Sequence, residues 1–396
     1  MNATSASAGL PFNPDMLLWA REWRGRTVEE AAEKIGVAED KITSWEAGQS
    51  IPTVRQARNL ASFYERPFLE FFLANKPTIP DLQSVPDFRL HRGAHDPRAD
   101  REIRAIQAWA EDTRHNALDL FAILGEQLPK LPSEFQASLD TNPEKAAGVA
   151  RELSDFQIGE QIHLKSVERG KVNKSIRRAI ERIGILVLKD SDLGKYGVRG
   201  LTISFDTLPI IIFGNESPAA QSFTLAHELG HVVLHQSAIS GSAAVRNIET
   251  NEQRAEKWCD EFAAAFLVPA SELIKMWSKP NQPNERIDDV LLRNLANEFS
   301  ISQHAMLVRL VNLGYVDAEY YWSVKRPQFL MQEAAYKGGG KSLYYGSRFR
   351  NSFGDLYTGL VLDAWGSGRI TNHNAAELMD IKSIDHLFDI REHFVA

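Results

Sequence analysis

Thr224-Leu225-Ala226-His227-Glu228-Leu229-Gly230-His231 is the stretch on which the reading of this chain turns. His227 and His231 are four residues apart, so on a helix they lie on one face, one turn above the other. Two imidazoles so placed can share one zinc ion, and Glu228 follows the first of them toward the open side of the metal. There a carboxylate is placed to take a proton from an activated water and pass it to a leaving amine. The flanks Phe223, Leu225, Ala226, Leu229, Val232, Val233 and Leu234 predict a buried helix over 222–235. Gly230, between the two histidines, leaves room for close backbone approach. The plainer alternative is a pair of core histidines on an apolar helix.

Two imidazoles leave such a site one protein ligand short. Downstream, Glu252 to Pro269 reads as a second buried helix in which Glu256 and Asp260 are again four apart. Glu256 is the expected third ligand, with Glu252 as its rival. Asp260, one turn on, can accept the N–H of a ligating histidine and fix its tautomer. The apolar neighbours Trp258, Phe262 and Ala263 argue against two solvated helix charges. His235 continues the row but drifts off the face, and is expected to be structural. Leu208-Pro-Ile-Ile-Ile-Phe213 is strand-like, either an edge strand open to an extended peptide or an ordinary sheet strand.

Further out, Asp15 to Leu73 has helical apolar spacing punctuated by Gly36, Gly48 and Pro52. Ala74 to Pro97 is proline-rich, a linker or an arm along a surface. One long helix is predicted over 101–128, another over 143–158, and a third over 175–183 before a strand at 184–188; 201–205 is also strand-like. Helix, strands and then the histidine helix make an α+β order. After Pro269 the chain is mostly helical, with a glycine break at Gly338-Gly339-Gly340. Tyr344 to Phe394 reads as two or three helices with a turn at 365–368 and a cap at Thr371.

The bulk properties narrow the rest. A chain of 396 residues is too long for one ordinary domain. The formal net charge of −7 rules out bulk basicity as a means of binding nucleic acid, so any such contact must be local. One cysteine, Cys259, excludes an internal disulfide and a cysteine-based metal cluster, which fits a reducing cytoplasm. The first residues lack the basic and apolar regions of a signal peptide, and no apolar run approaches a membrane span. The expected location is cytoplasmic.

The segment "RGLTISFDTLPIIIFGNESPAAQSFTLAHELGHVVLH" followed by "EKWCDEFAAAFLVP" resembles the ImmA/IrrE family of metallopeptidases, the M78-type zincins. The likeness runs strongly over 198–269 and more loosely over 151–313. It implies His227, His231 and Glu256 as zinc ligands and Glu228 as catalytic base. It also implies a helix-turn-helix repressor as the protein cleaved. The stretch from Thr27 to Pro52 resembles a Cro/C1-type (XRE) helix-turn-helix, in which Thr27 would cap the second helix and Gly36 would make the turn. Ala38 to Ala47 would be the recognition helix, with Glu39, Asp40, Lys41, Thr43 and Ser44 facing the major groove of double-stranded DNA.

The expected chain is therefore multi-domain: an all-α helix-turn-helix domain, an α+β zincin-like metallopeptidase domain and a mostly helical C-terminal segment. The boundaries expected are 1–75 for the helix-turn-helix, 76–160 for a helical connector, 161–320 for the peptidase and 321–396 for the tail. The expected function is a zinc-dependent regulatory endopeptidase that controls transcription. The alternative is a non-catalytic regulator whose zincin-like domain is a sensor, within a toxin–antitoxin or phage-response pair. Two acidic residues at the start of the recognition helix leave protein docking open beside DNA binding. For the tail, substrate selection and homodimerisation are both open.

Overall fold

A computed structural model describes residues 12–64, 66–76, 82–87, 97–241, 250–276, 286–335, 345–381 and 383–395. The glycine break at 338–340 lies outside the described residues, as does most of the proline-rich stretch 74–97. The chain divides into two compact units, residues 1–82 with 97–105, and residues 83–96 with 106–396.

The first unit is built from four short helices, α1 (Pro14–Trp23), α2 (Val28–Ile35), α3 (Glu39–Glu46) and α4 (Val54–Tyr64), followed by a 3-10 turn at Phe68–Phe72. Local signals set their ends. Thr27 and Glu30 form a reciprocal capping box at the start of α2. Gly36 ends that helix in the left-handed conformation (φ 73°), where a side chain would be strained. Ala38 then opens α3, whose Ile42 and Trp45 point into a core with Leu17, Ala31, Ala32, Leu60 and Tyr64. A bidentate pair from Arg21 to Glu46 (2.6 and 2.9 Å) ties α1 to the end of α3. The long helix α5 (Pro97–Leu124) crosses from this unit into the second.

The second unit contains α6 (Pro143–Leu153), α7 (Ser166–Arg169), α8 (Val172–Arg182), strands β1 (Leu186–Lys189), β2 (Gly200–Ile203) and β3 (Ile210–Phe213), helix α9 (Pro218–Val233) and strand β4 (Ala238–Ser240). After these come α10 (Asn251–Leu267), α11 (Ala270–Met276), α12 (Asp289–Glu298), α13 (Gln303–Asn312), α14 (Ala318–Tyr320), a π-helical turn at Tyr321–Lys325 and α15 (Arg326–Ala334). The tail folds as α16 (Tyr345–Gly366), α17 (Asn372–Leu378) and α18 (Asp385–Val395). The 218–233 helix starts a turn earlier than its apolar pattern predicts, because Ser217 caps it and Pro218 occupies its first position.

The four strands lie in the order β1-β3-β2-β4, with β1 parallel to β3 and the other pairs antiparallel. Strands β2 and β3 are buried along their whole length, so both faces of the sheet are covered at these strands. This decides between the two readings of the 208–213 strand in favour of an ordinary sheet strand. Strand β3 is hydrogen-bonded on both sides and cannot accept a further peptide; among the described residues β4 is an edge, and its Ile239 N–H already donates to Pro86 O at 2.9 Å.

The tail is fastened to this unit at a break that its apolar pattern hides. Within α16, Gly354 has φ 81° and ψ 174°, a conformation open essentially to glycine alone. The break frees the N–H of Asp355, which donates to both carboxylate oxygens of Glu181 on α8 (3.0 and 3.1 Å). Arg177 on α8 reaches the carbonyls of Asn351 and Val187 beside it. A Cβ at Gly354 would collide with the Glu181 carboxylate and lie 2.8 Å from Val187 O. Gly354→Ala is therefore expected to cost about 2–4 kcal/mol, read as a lower urea midpoint. Gly366→Ala, which meets nothing within 4 Å, serves as the near-neutral control.

Candidate metal centre

Helices α9 and α10 bring the two pairs of ligand candidates face to face. On α9, His227 and His231 are buried, as is Glu256 on α10. His231 Nε2 lies 3.1 Å from Glu256 Oε1, and His227 Nε2 lies 3.5 Å from Glu256 Oε2. One nitrogen from each ring and one oxygen of Glu256 fall within 4.8 Å of one another. Donor atoms about 2.0–2.1 Å from a tetrahedral zinc are about 3.3 Å apart, so these spacings suit that ion.

Two buried atoms point to the same conclusion. His227 Nε2 makes no hydrogen bond, its 3.5 Å approach to Glu256 being too poor to count as one. His227 Nδ1 sits 3.0 Å from Asp260 Oδ1, so the ring donates there and leaves the Nε2 lone pair for a metal. Glu228 Oε1 is likewise buried without a hydrogen-bond partner. Four carboxylates, Glu228, Glu256, Asp260 and Glu261, line one cleft with the His227 imidazole, and Glu228 and Glu256 are buried. Burying such charge without a compensating cation is costly, and a divalent ion supplies it. The residues present therefore fit zinc.

The electrostatics follow from this crowding. Burial disfavours charge on His227, but Glu256 and Asp260 outweigh it and raise its pKa well above the ordinary value. Burial would also raise Glu256; the two imidazoles outweigh it and hold that carboxyl down at about 2. Glu228 goes the other way, because burial pushes it above the usual carboxylate range against the pull of His231, His227 and Thr202.

The sheet positions Glu228. Thr202 on β2 donates from Oγ1 to Glu228 Oε2 at 2.6 Å. Gly200, two residues earlier on the same strand, lies against the carboxylate so closely that a Cβ there would sit 2.6 Å from Glu228 Cδ. Neither residue is evident from the histidine motif; the one available signal is an isolated glycine opening a strand pattern, which marks close approach.

The remaining candidates fall outside the donor set. Glu252 is exposed in the first turn of α10. His235, just past the end of α9, has φ 55° and lies 3.4 Å from Asp206. Arg199 also borders the cleft and pairs with Glu216 at 3.1 Å. In the first unit, Glu39, Asp40, Lys41 and Thr43 are exposed along α3, and the Ser44 hydroxyl is 2.6 Å from that of Ser50.

Comparison with known proteins places these features in families. Residues 180–311 match the M78 peptidase model, described as the IrrE N-terminal-like domain, and residues 17–71 match a helix-turn-helix model. No curated protein matches the chain. Among solved structures, the crystal structure of ComR from Streptococcus suis aligns over 96% of this chain and 94% of that one, at 12% identity and a TM-score of 0.14. At that score the alignment supports no statement about this chain. No described helix is long and apolar enough to cross a membrane. The order of the two matched domains is that of ImmA/IrrE proteins with an N-terminal XRE-type helix-turn-helix.

Proposed function

We propose that the chain is a zinc-dependent regulatory endopeptidase in which His227, His231 and Glu256 hold the metal, Glu228 is the general base and Asp260 orients His227. The observation that carries this reading is the Glu228 carboxylate, buried and with one free oxygen, in the same cleft as His227 and Glu256 of the three-donor set. A metal sensor needs the three donors but has no use for that carboxylate. When bound, zinc supplies Lewis acidity toward a peptide carbonyl and acidifies a water molecule.

The protein's own groups do the rest. Glu228 Oε1 accepts a proton from the attacking water and returns it to the amine nitrogen as the C–N bond breaks. Thr202 holds the other oxygen still, so the proton acceptor keeps one orientation. Asp260 keeps the His227 Nε2 lone pair turned toward the site. The protein cut is a regulatory protein, with a helix-turn-helix repressor as the leading candidate through the family likeness.

The test is a survey of new protein N-termini in an extract of the native cells after adding zinc-loaded protein. Cleavage should fall at least a hundredfold in Glu228→Gln, with zinc content unchanged. Gly200→Ala, which displaces the same carboxylate, should fall between that variant and the wild type. Undiminished cleavage by Glu228→Gln would remove the base from the mechanism.

For the helix-turn-helix domain, the proposal is that α3 meets the major groove of double-stranded DNA at the chain's own promoter, through Glu39, Asp40, Lys41, Thr43 and Ser44. Among these five, Lys41 is the one cation, so phosphate attraction on this face depends on it. Lys41→Glu should weaken binding of a promoter duplex on the order of tenfold at fixed salt, by fluorescence anisotropy. Binding unchanged by that substitution would place the DNA contacts elsewhere or make the domain a protein-docking module.

A further inference from the structure

The cleft that begins at His227, Glu228 and Glu256 extends well past the donor atoms. It has a volume of about 400 Å3 and is lined in part by α13 and the π-helical turn at Tyr321–Lys325. Part of its lining is the polar, carboxylate-rich group already described. The apolar part is Phe223 from α9, whose ring lies 6.4 Å from that of His227, Val308 and Val311 from α13, and Trp322 from the π turn. All four are only partly buried and pack on the main core, leaving apolar surface toward the cleft. Val308 and Val311 are three apart, on the same face of α13 as Ala305, so they form a continuous strip.

This wall is held in place. The His304 ring stacks on Phe329 (5.0 Å between centroids), and its Nε2 is 3.0 Å from the Tyr321 hydroxyl, tying α13 to the π turn. π-Helical turns of this kind concentrate at functional sites. Of the cations that border the cleft, Lys257 faces Glu261 at 4.0 Å, Arg199 pairs with Glu216, and Arg326 lies over the Trp322 ring at 5.2 Å with a buried Nε that makes no hydrogen bond. An acidic side chain entering here would lose water against valine and tryptophan.

We propose that this wall is a specificity subsite for a bulky apolar side chain, of the leucine or phenylalanine class, on the peptide whose scissile carbonyl lies at the metal. The assignment rests on the peptidase reading above and adds to it the class of residue selected beside the cleaved bond. Val308, Val311, Phe223 and Trp322 act by burying apolar surface of the substrate, and take no part in the proton transfer.

The test uses small metal-binding probes, so no natural substrate is needed. N-acetyl-leucine hydroxamate, N-acetyl-aspartate hydroxamate and N-acetyl-glycine hydroxamate are titrated into the zinc-loaded full chain by calorimetry. The leucine compound should bind about tenfold or more tighter than the glycine compound, and the aspartate compound no tighter than glycine. Val308→Trp, which fills the pocket, should erase the leucine preference while leaving glycine hydroxamate affinity and zinc content unchanged. Trp322→Ala, which opens the pocket, should weaken only the leucine compound and serves where Val308→Trp does not fold. Hydroxamate binding without a leucine preference, or a preference that survives both substitutions, overturns the subsite and leaves the metal centre intact. If no hydroxamate binds to protein that holds zinc, the peptidase reading itself falls and the subsite with it.

Discussion

The close crossing of α9 and α10 is the constraint on which the candidate centre depends. A Cβ at Gly230 would meet Cys259 Sγ at 3.1 Å and Cys259 Cα at 3.3 Å, tighter than ordinary packing allows without some adjustment. Because position 230 has no side chain, the two helices approach far enough for Glu256 Oε1 to come within 3.1 Å of His231 Nε2. The same approach sets Asp260 against His227 one turn further along. Metal donors and the group that orients one of them thus follow from a single helix pair, each helix repeating its functional residue every four positions.

The sheet makes the second contribution, and it is separable from the first. Strand β2 runs antiparallel to β3 and β4 and passes beneath Glu228, with Gly200 opposite the carboxylate and Thr202 hydrogen-bonded to it. The helix pair alone would assemble a metal-binding triad. Only with the strand beneath it is the neighbouring carboxylate held buried, with one oxygen satisfied and the other free. That division is why a sensor and a peptidase differ here by the surroundings of one residue rather than by the donors.

What was legible in the sequence was what local periodicity and capping encode. His227, His231, Glu256 and Asp260 could be aligned because helical spacing is a short-range property. Thr27, Gly36 and Ala38, whose roles the likeness to a helix-turn-helix implied, mark the ends of α2 and α3. Strand order was not legible: the apolar run at 210–213 looks the same whether central or at an edge, and the parallel pairing with 186–189 decides it. The break at Gly354 was hidden too, because an isolated glycine in an apolar helix declares itself only through Glu181 and Val187, which come from elsewhere in the chain. Thr202 and Gly200 belong to the same class, residues whose part is set by what folds over them.

The most direct test of the account is the zinc K-edge X-ray absorption spectrum of the zinc-loaded protein beside its Glu256→Ala variant. The account predicts a shell of nitrogen and oxygen donors at about 2.0–2.1 Å with outer scattering from two imidazoles, and loss of one light-atom donor in the variant. A sulfur scatterer at about 2.3 Å, which only Cys259 among the cysteines could supply, would contradict it, as would a spectrum unchanged by removal of Glu256.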